Sequence, residues 1–182
     1  MIVCLGWGSL LWRPKALPIE GDWHTDGPLL PIEFTRVSSG GRLTLVITEG
    51  ASLLPVLWSR LAVASLKEGI DALARREGVK PPNISRSIGV WSVARSSRHA
   101  EAASIGAWAN EQSIGAAIWT ALKPGFRESR GNPLSCDQAL THLRSLNGRR
   151  RACAEHYVRG APAQIRTPYR AAIEREFGWT AV

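Results

Sequence analysis

The chain has 182 residues, 45% of them apolar and 21% charged; this balance fits a soluble globular protein of one domain, or one domain with an appendage, and excludes a disordered chain or a coiled coil. Lys and Arg number 23 against 15 Asp and Glu, a formal charge of +8, which leaves nucleic acid, acidic small molecules and membrane surfaces open as partners. The excess is uneven: residues 1–121 carry 12 cations and 10 anions, a net of +2, and residues 122–182 carry 11 and 5, a net of +6.

In chain order, Ile2 to Leu5 reads as a short buried strand running into the turn Gly6-Trp7-Gly8-Ser9. Residues 13–28 are rich in Pro, Gly and Asp and read as a loop. Leu29 to Val37 and Arg42 to Thr48 are strand-like, joined by Ser38-Ser39-Gly40-Gly41, which predicts a hairpin. Leu53 to Val63 is a third such run. Ser65 to Gly78 is a helix: Ser65 and Glu68 form a capping box, and Gly78 supplies a left-handed stop. Lys80 to Ser85 is a loop; Arg86 to Val93 and Ile114 to Leu122 are strands with a short helix near Glu101 to Gln112 between them.

After Pro124 the texture turns helical. Ser135 and Gln138 form a second capping box, with Gly148 expected to end that helix; Arg149 to Arg159 is a further helix. Thr167-Pro168 is an N-cap followed by Pro at the first helical position, and Tyr169, Ile173 and Phe177 fall on one face. Trp58, Trp91 and Trp119 sit in three similar strand-like segments and are expected to pack in a core, with a base-stacking platform as the lesser reading. Strands come mainly first and helices mainly last. The expectation is α+β with a mixed, barrel-like sheet: a domain over 1–124 and a helical extension over 125–182 packed on it.

Cys4, Cys136 and Cys153 have no paired spacing, which argues for reduced thiols in a cytoplasm rather than a disulfide framework or a zinc knuckle. No cation precedes the apolar first residues, so no signal peptide is expected, and no run reaches the roughly 18 apolar residues of a membrane span. Asn83-Ile84-Ser85 is a glycosylation sequon by letters only.

Glu77 is the most informative residue. With Leu66 at 0° and about 100° per residue, Ile70 (~40°), Leu73 (~340°) and Ala74 (~80°) form the apolar stripe, and Glu77 (~20°) falls within it. Burial and the negative helix end both disfavour its charged form, which raises the acid toward the range where it can accept and return a proton near neutrality. Pairing with Arg76 is the structural alternative. The turn Gly6-Trp7-Gly8-Ser9-Leu10 could aim backbone amides at an anion or a polarised carbonyl, or be a plain turn. A dinucleotide fingerprint fails at Leu11, and Ser9 lacks a nucleophile-elbow context. Asp22, His24 and Asp26 match no metal spacing. His99, His142 and His156 are isolated; Glu33 and Arg36 have opposite parity in a strand-like run, so either could point inward, with a rim ion pair as the default. Arg149-Arg150-Arg151 reads as solvated surface more than as a nucleic-acid contact.

Gly6-Trp7-Gly8-Ser9-Leu10-Leu11-Trp12-Arg13-Pro14 resembles the G-Y-G-S-L-x-W-x-P opening of ChaC-type γ-glutamylcyclotransferases. Phe34 to Ile47 is similar to that family's next two strands, and Val56-Leu57-Trp58 followed by Leu73-Ala74-Arg75-Arg76-Glu77-Gly78 resembles its strand and helix. The resemblance covers roughly residues 2–93, and it does not extend to 125–182. It implies a barrel-like α+β fold, Glu77 as catalytic acid/base, and residues 6–10 as the binding loop for a γ-glutamyl group. The implied reaction closes a γ-glutamyl amine or peptide to 5-oxoproline and releases the amine, with no metal or cofactor. The family's loop Tyr is Trp7 here, so the loop lacks a phenolic hydroxyl. Two other classes stay open: a non-catalytic binding protein of the same fold, and a basic nucleic-acid-binding protein. No membrane partner is expected.

Overall fold

The protein is described by a computed structural model, over residues 1–38 and 40–182. Ser39, part of the expected hairpin turn, lies outside the described residues. In chain order the elements are β1 (Ile2–Gly6), β2 (Ile19–His24), β3 (Leu29–Val37), β4 (Leu43–Ile47), β5 (Leu53–Pro55), β6 (Leu57–Leu61), α1 (Leu66–Glu77), α2 (Ile84–Ser87), β7 (Ile88–Ser92), β8 (Arg95–Ser96), α3 (Ala102–Glu111), β9 (Ala116–Thr120), α4 (Cys136–Ser145), α5 (Gly148–Gly160) and α6 (Pro168–Phe177). The class is α+β. A mixed six-stranded sheet runs β2-β6-β1-β9-β7-β8, and a three-stranded sheet runs β4-β3-β5. The six-stranded sheet is open, with β2 and β8 as its edges, and no closed barrel forms among the described residues. The chain divides into two compact units, one of Met1–Gly6, Arg13–Leu30 and Pro55–Leu122, the other of Trp7–Trp12, Pro31–Leu54 and Lys123–Val182.

In the first unit β1 is central, antiparallel to β6 and parallel to β9. Registered partners share a face of a sheet, so Leu5 opposite Trp58, Trp91 opposite Ala117 and Gly89 opposite Trp119 place all three tryptophans on one side. Helix α3 covers that side, with the Trp108 ring 5.7 Å from Trp58. Trp119 and Trp91 are buried in the core, as expected, and Trp58 is half-buried under a stacked His24 ring at 4.2 Å. The fit depends on missing side chains. A Cβ at Gly89 would overlap the Trp119 indole, and one at Gly106 would overlap the Trp91 indole. Cys4, Ser59, Ile118 and Val90 are in register on the opposite face, where α1 packs with Gly69 against Leu61 and Ile118.

The caps of α1 follow the sequence with one adjustment. Glu68 N–H donates to Ser65 Oγ (3.2 Å), but the Glu68 carboxylate accepts from Ala64 N–H (2.9 Å), one residue earlier than the capping box requires. Gly78 closes the helix at φ 68°, where only glycine is unstrained. Strand β2 was expected to be loop. It is an exposed edge strand on β6 with a register shift between Glu20 and His24, and its polar letters reflect that exposure.

In the second unit, β3 pairs antiparallel with β4 from Ile32 opposite Ile47 to Val37 opposite Leu43, with an irregularity between Phe34 and Arg36. The extra residue is Thr35, whose hydroxyl meets that of Thr48 at 2.6 Å. The capping box at Ser135 is complete. Helix α4 ends at Ser145, however, and Gly148 opens α5 rather than closing α4, at φ 46°. Arg170 in α6 is 3% exposed. Its guanidinium donates to the carbonyls of Pro162 (2.6 Å), Ile165 (3.1 Å) and Ala161 (2.9 Å) and pairs with Glu174 at 3.1 Å. The connector between α5 and α6 is therefore wrapped around one buried cation.

The glycine contacts predict a contrast. Gly89→Ala should cost about 1–3 kcal/mol through overpacking, whereas Gly69→Ala, whose Cβ would meet only ordinary contacts, should be neutral or gain up to about 1 kcal/mol of helix propensity. Urea midpoints of the two variants check this; equal effects would refute the assigned packing.

Candidate functional site

Helix α1 carries Glu77 at its last position, and the site is built from the residues it meets in the first unit. The buried positions of α1 are Gly69, Ala72, Leu73 and Ala74, so the packed face lies about 40° or more round from the stripe of large apolar residues, on the side of Arg76. Arg76 and Glu77 are both drawn into it: their side chains are 8% and 15% exposed, and Arg76 Nη1 donates to Glu77 Oε1 at 2.5 Å. The pairing considered from sequence is thus present. The other terminal nitrogen of Arg76 donates to the Arg13 carbonyl (3.0 Å), and Lys15 Nζ donates to the Arg76 carbonyl (3.5 Å). Cys4, fully buried on the α1 face of β1, feels the same pair: burial pushes its thiol up, the Glu77 charge adds to that, and the Arg76 charge opposes it. The charge pair therefore lies within electrostatic reach of β1 and is bonded to Arg13, the two chain segments that flank the glycine-rich turn.

Gly6 ends β1 and belongs to the first unit; Trp7, Gly8, Ser9 and Leu10 belong to the second. Trp7, Gly8 and Leu10 are buried and Ser9 is half-buried. Leu11 N–H donates to Gly8 O (3.0 Å), closing the turn. Gly8 does not adopt a left-handed backbone. Its requirement for glycine is one of space: a Cβ there would collide with the Tyr157 hydroxyl from α5. Leu45 N–H donates to the same hydroxyl at 3.4 Å, and the Tyr157 ring takes edge contacts from Trp12 (5.5 Å) and Phe34 (6.5 Å). The sequence reading assigned no part to Tyr157, since its partners come from the opposite end of the chain; the one available signal was that a phenol absent from the loop is present in α5.

The remaining candidates have structural partners. Asp26 Oδ1 accepts from Trp58 Nε1–H at 2.9 Å, and His24 stacks on that indole. His99 bonds Ser97 Oγ (3.0 Å), His142 bonds the Gly41 carbonyl (2.7 Å), and His156 lies edge-on to Trp12. Arg151 lies 5.3 Å over both Phe177 and Trp179. No group of three His, Cys, Asp or Glu side chains able to hold a metal ion occurs among the described residues. No helix is long and apolar enough to cross a membrane, again among the described residues.

Glu33 corrects a sequence expectation. It is not a rim residue but 3% exposed. Its Oε1 accepts from Thr167 Oγ1–H (2.5 Å) and Phe34 N–H (2.6 Å), and its Oε2 from Tyr169 N–H (3.3 Å), at the start of α6. A helix N-terminus favours a carboxylate, yet burial prevails over the three hydrogen bonds and holds the acid above its ordinary range.

Comparison with known proteins adds no assignment: the chain matches no family model, no curated protein and no solved structure.

Because the folded Glu33 is raised from its ordinary 4.5, its contribution to stability is fully present below that value and is lost as pH rises through the folded value. Glu33→Gln lacks that titration. The stability of the parent relative to Glu33→Gln should therefore be greater at pH 4 than at pH 8 in denaturant melts; a difference that grows with pH would refute the assigned environment.

Proposed function

We propose that the protein is a cytoplasmic γ-glutamylcyclotransferase-like enzyme, with a fold of that type, acting on a γ-glutamyl amine or peptide. The observation that carries the reading is the half-buried Glu77 carboxylate. It is fixed by Arg76 on the packed face of α1, and Arg76 in turn is bonded to Arg13 just after the Gly6–Leu10 turn. The carboxylate and the turn were argued independently from sequence, and the reading takes them as parts of one site.

The chemistry needs few parts. The substrate's α-amine attacks its own γ-carbonyl, a new carbon–nitrogen bond closes the five-membered ring, and the bond to the leaving amine breaks. Glu77 takes the proton released by the attacking nitrogen and returns it to the departing one. Amides of residues 7–10 hold the γ-glutamyl group and the charge that develops on its carbonyl oxygen. The nucleophile is carried by the substrate at high effective molarity, so the step itself requires no metal or cofactor.

The closeness of the Arg76–Glu77 contact favours a second reading, in which a tightly paired carboxylate holds a γ-glutamyl ligand without turning it over. One assay separates the two. Incubation with a panel of γ-glutamyl amino acids, γ-glutamyl amines and glutathione should release 5-oxoproline. Glu77→Gln, which can still accept from Arg76, should lower that release by about 10²–10⁴-fold without loss of folding. Undiminished turnover in folded Glu77→Gln would sink the role; ligand-induced thermal stabilisation without product would favour the second reading.

A further inference from the structure

The buried cation of α6 holds more donors than its connector uses. A guanidinium carries five N–H groups. In Arg170, Nε donates to Glu174, Nη1 to the carbonyls of Pro162 and Ile165, and Nη2 to that of Ala161. These bonds leave at least one N–H of Nη2 for a further acceptor, in a residue that is 3% exposed. Arg170 lines a cavity of about 360 Å³ in the second unit, a volume at the lower end of small-ligand sites. Thr167, Ala171 and Glu174 line it from the same stripe of α6, at helical spacings of three and four. Arg166, from the connector, is exposed and completes the polar lining. Its Nε donates to the Ala163 carbonyl at 3.3 Å, which folds the side chain over its own connector and leaves the two terminal nitrogens as donors. The Thr167 hydroxyl adds no donor, because it is spent on Glu33 Oε1 while accepting from Arg170 N–H. Charge in the cavity is unbalanced: two guanidinium groups face one carboxylate, and Arg170 already holds that carboxylate at 3.1 Å. The rest of the wall is small and apolar, from Ala163, Ala171 and Ala181.

We infer that this cavity binds a small monocarboxylate, with its carboxylate held by Arg166 and Nη2 of Arg170 and its short apolar chain against the alanines. The planar guanidinium matches a carboxylate in geometry and in charge-assisted hydrogen bonding. One negative charge cancels the surplus of one positive charge, and the alanine wall offers no side-chain donor to the additional oxygens of a phosphate. The inference is independent of the γ-glutamyl reading.

The test titrates the full, nitrogen-15-labelled chain with sodium butyrate and follows the backbone amide signals, with sodium chloride, butylammonium chloride and inorganic phosphate as counter-probes at matched ionic strength. Butyrate should shift the amides of Ala163, Ala171 and Ala181 saturably, and chloride and butylammonium should not. Arg166→Gln changes an exposed side chain, so it should melt like the parent and raise the butyrate Kd at least about tenfold, the worth of a hydrogen bond to a charged group. Glu174→Gln, which can still accept from Arg170, should lower the butyrate Kd, because it removes a negative charge from the cavity wall. Shifts that chloride reproduces, or a butyrate Kd unchanged in Arg166→Gln, would overturn the inference. Tighter binding of phosphate than of butyrate would overturn the carboxylate class, and weaker butyrate binding in folded Glu174→Gln would overturn the assigned charge balance.

Discussion

Strand β1 is the constraint from which the candidate chemistry follows. It is hydrogen-bonded on both edges, to β6 and to β9, and Val3, Cys4 and Leu5 are essentially without solvent contact. A strand held in that way cannot slide, because a one-residue slip would exchange the side chains of its two faces. The Cys4 face would then take residues shaped for the tryptophan side, and that side tolerates no change of volume: Trp119 and Trp91 already occupy the space vacated by Gly89 and Gly106. The end of β1 at Gly6 is therefore a fixed point, and the turn that begins there starts from a defined position and direction.

The same register sets where Glu77 stands. Cys4 and Ile118 share the face on which α1 lies, and Gly69 lets the helix approach Leu61 and Ile118 at ordinary contact distance. Close approach rotates the packed face toward the small residues Gly69 and Ala72, and Arg76 is carried inward together with Glu77. A lone carboxylate so enclosed would face the full cost of desolvation. The arginine beside it meets much of that cost and orients one carboxylate oxygen, leaving the second as the candidate proton acceptor. Under the proposed reading Arg76 is a positioning residue, and it is itself held by its bond to the Arg13 carbonyl.

What the sequence discloses and what it hides divide along physical lines. Local, short-range signals carry through: Ser65 and Ser135 as N-caps, Thr167-Pro168 as a helix start, Gly78 as a left-handed stop. The α+β class and the strand runs are legible because they rest on apolar patterning. Parity fails where burial has no period: residues 30–35 of β3 are buried without alternation, so nothing in the letters showed that Glu33 turns in to the start of α6. The polar composition of Ile19–His24 hid an edge strand, since exposed edges select the same residues as loops. Gly148 fits a helix stop and a helix start equally well by letter, and the choice is made by tertiary context. For the candidate site, Glu77 and the Gly6–Leu10 turn are visible as motifs, whereas the packing of Tyr157 against Gly8 shows only once α5 is in place.

The positive charge of the last third, suggestive by arithmetic, is largely engaged in building the second unit. Arg170 is enclosed by three backbone carbonyls and Glu174, and Arg130 donates to the carbonyls of Gly125 and Val37. Arg144 pairs with Glu176, Arg159 with Glu155, and Arg151 covers two aromatic rings. With Arg166, which donates to the Ala163 carbonyl at 3.3 Å, at least six of the 11 cations of residues 122–182 have structural partners among the described residues. The choice of arginine over lysine, 19 to 4 in the whole chain, has the same cause. Connectors such as 161–167 leave carbonyls that no regular helix or sheet satisfies, and a planar guanidinium with five donors can satisfy several at once, where an ammonium acts as a compact point charge. Charge that serves as a hydrogen-bond hub inside a connector is not displayed to a polyanion. The surplus of cations is therefore less distinctive than the enclosed pair of Arg76 and Glu77, whose side chains are 8% and 15% exposed.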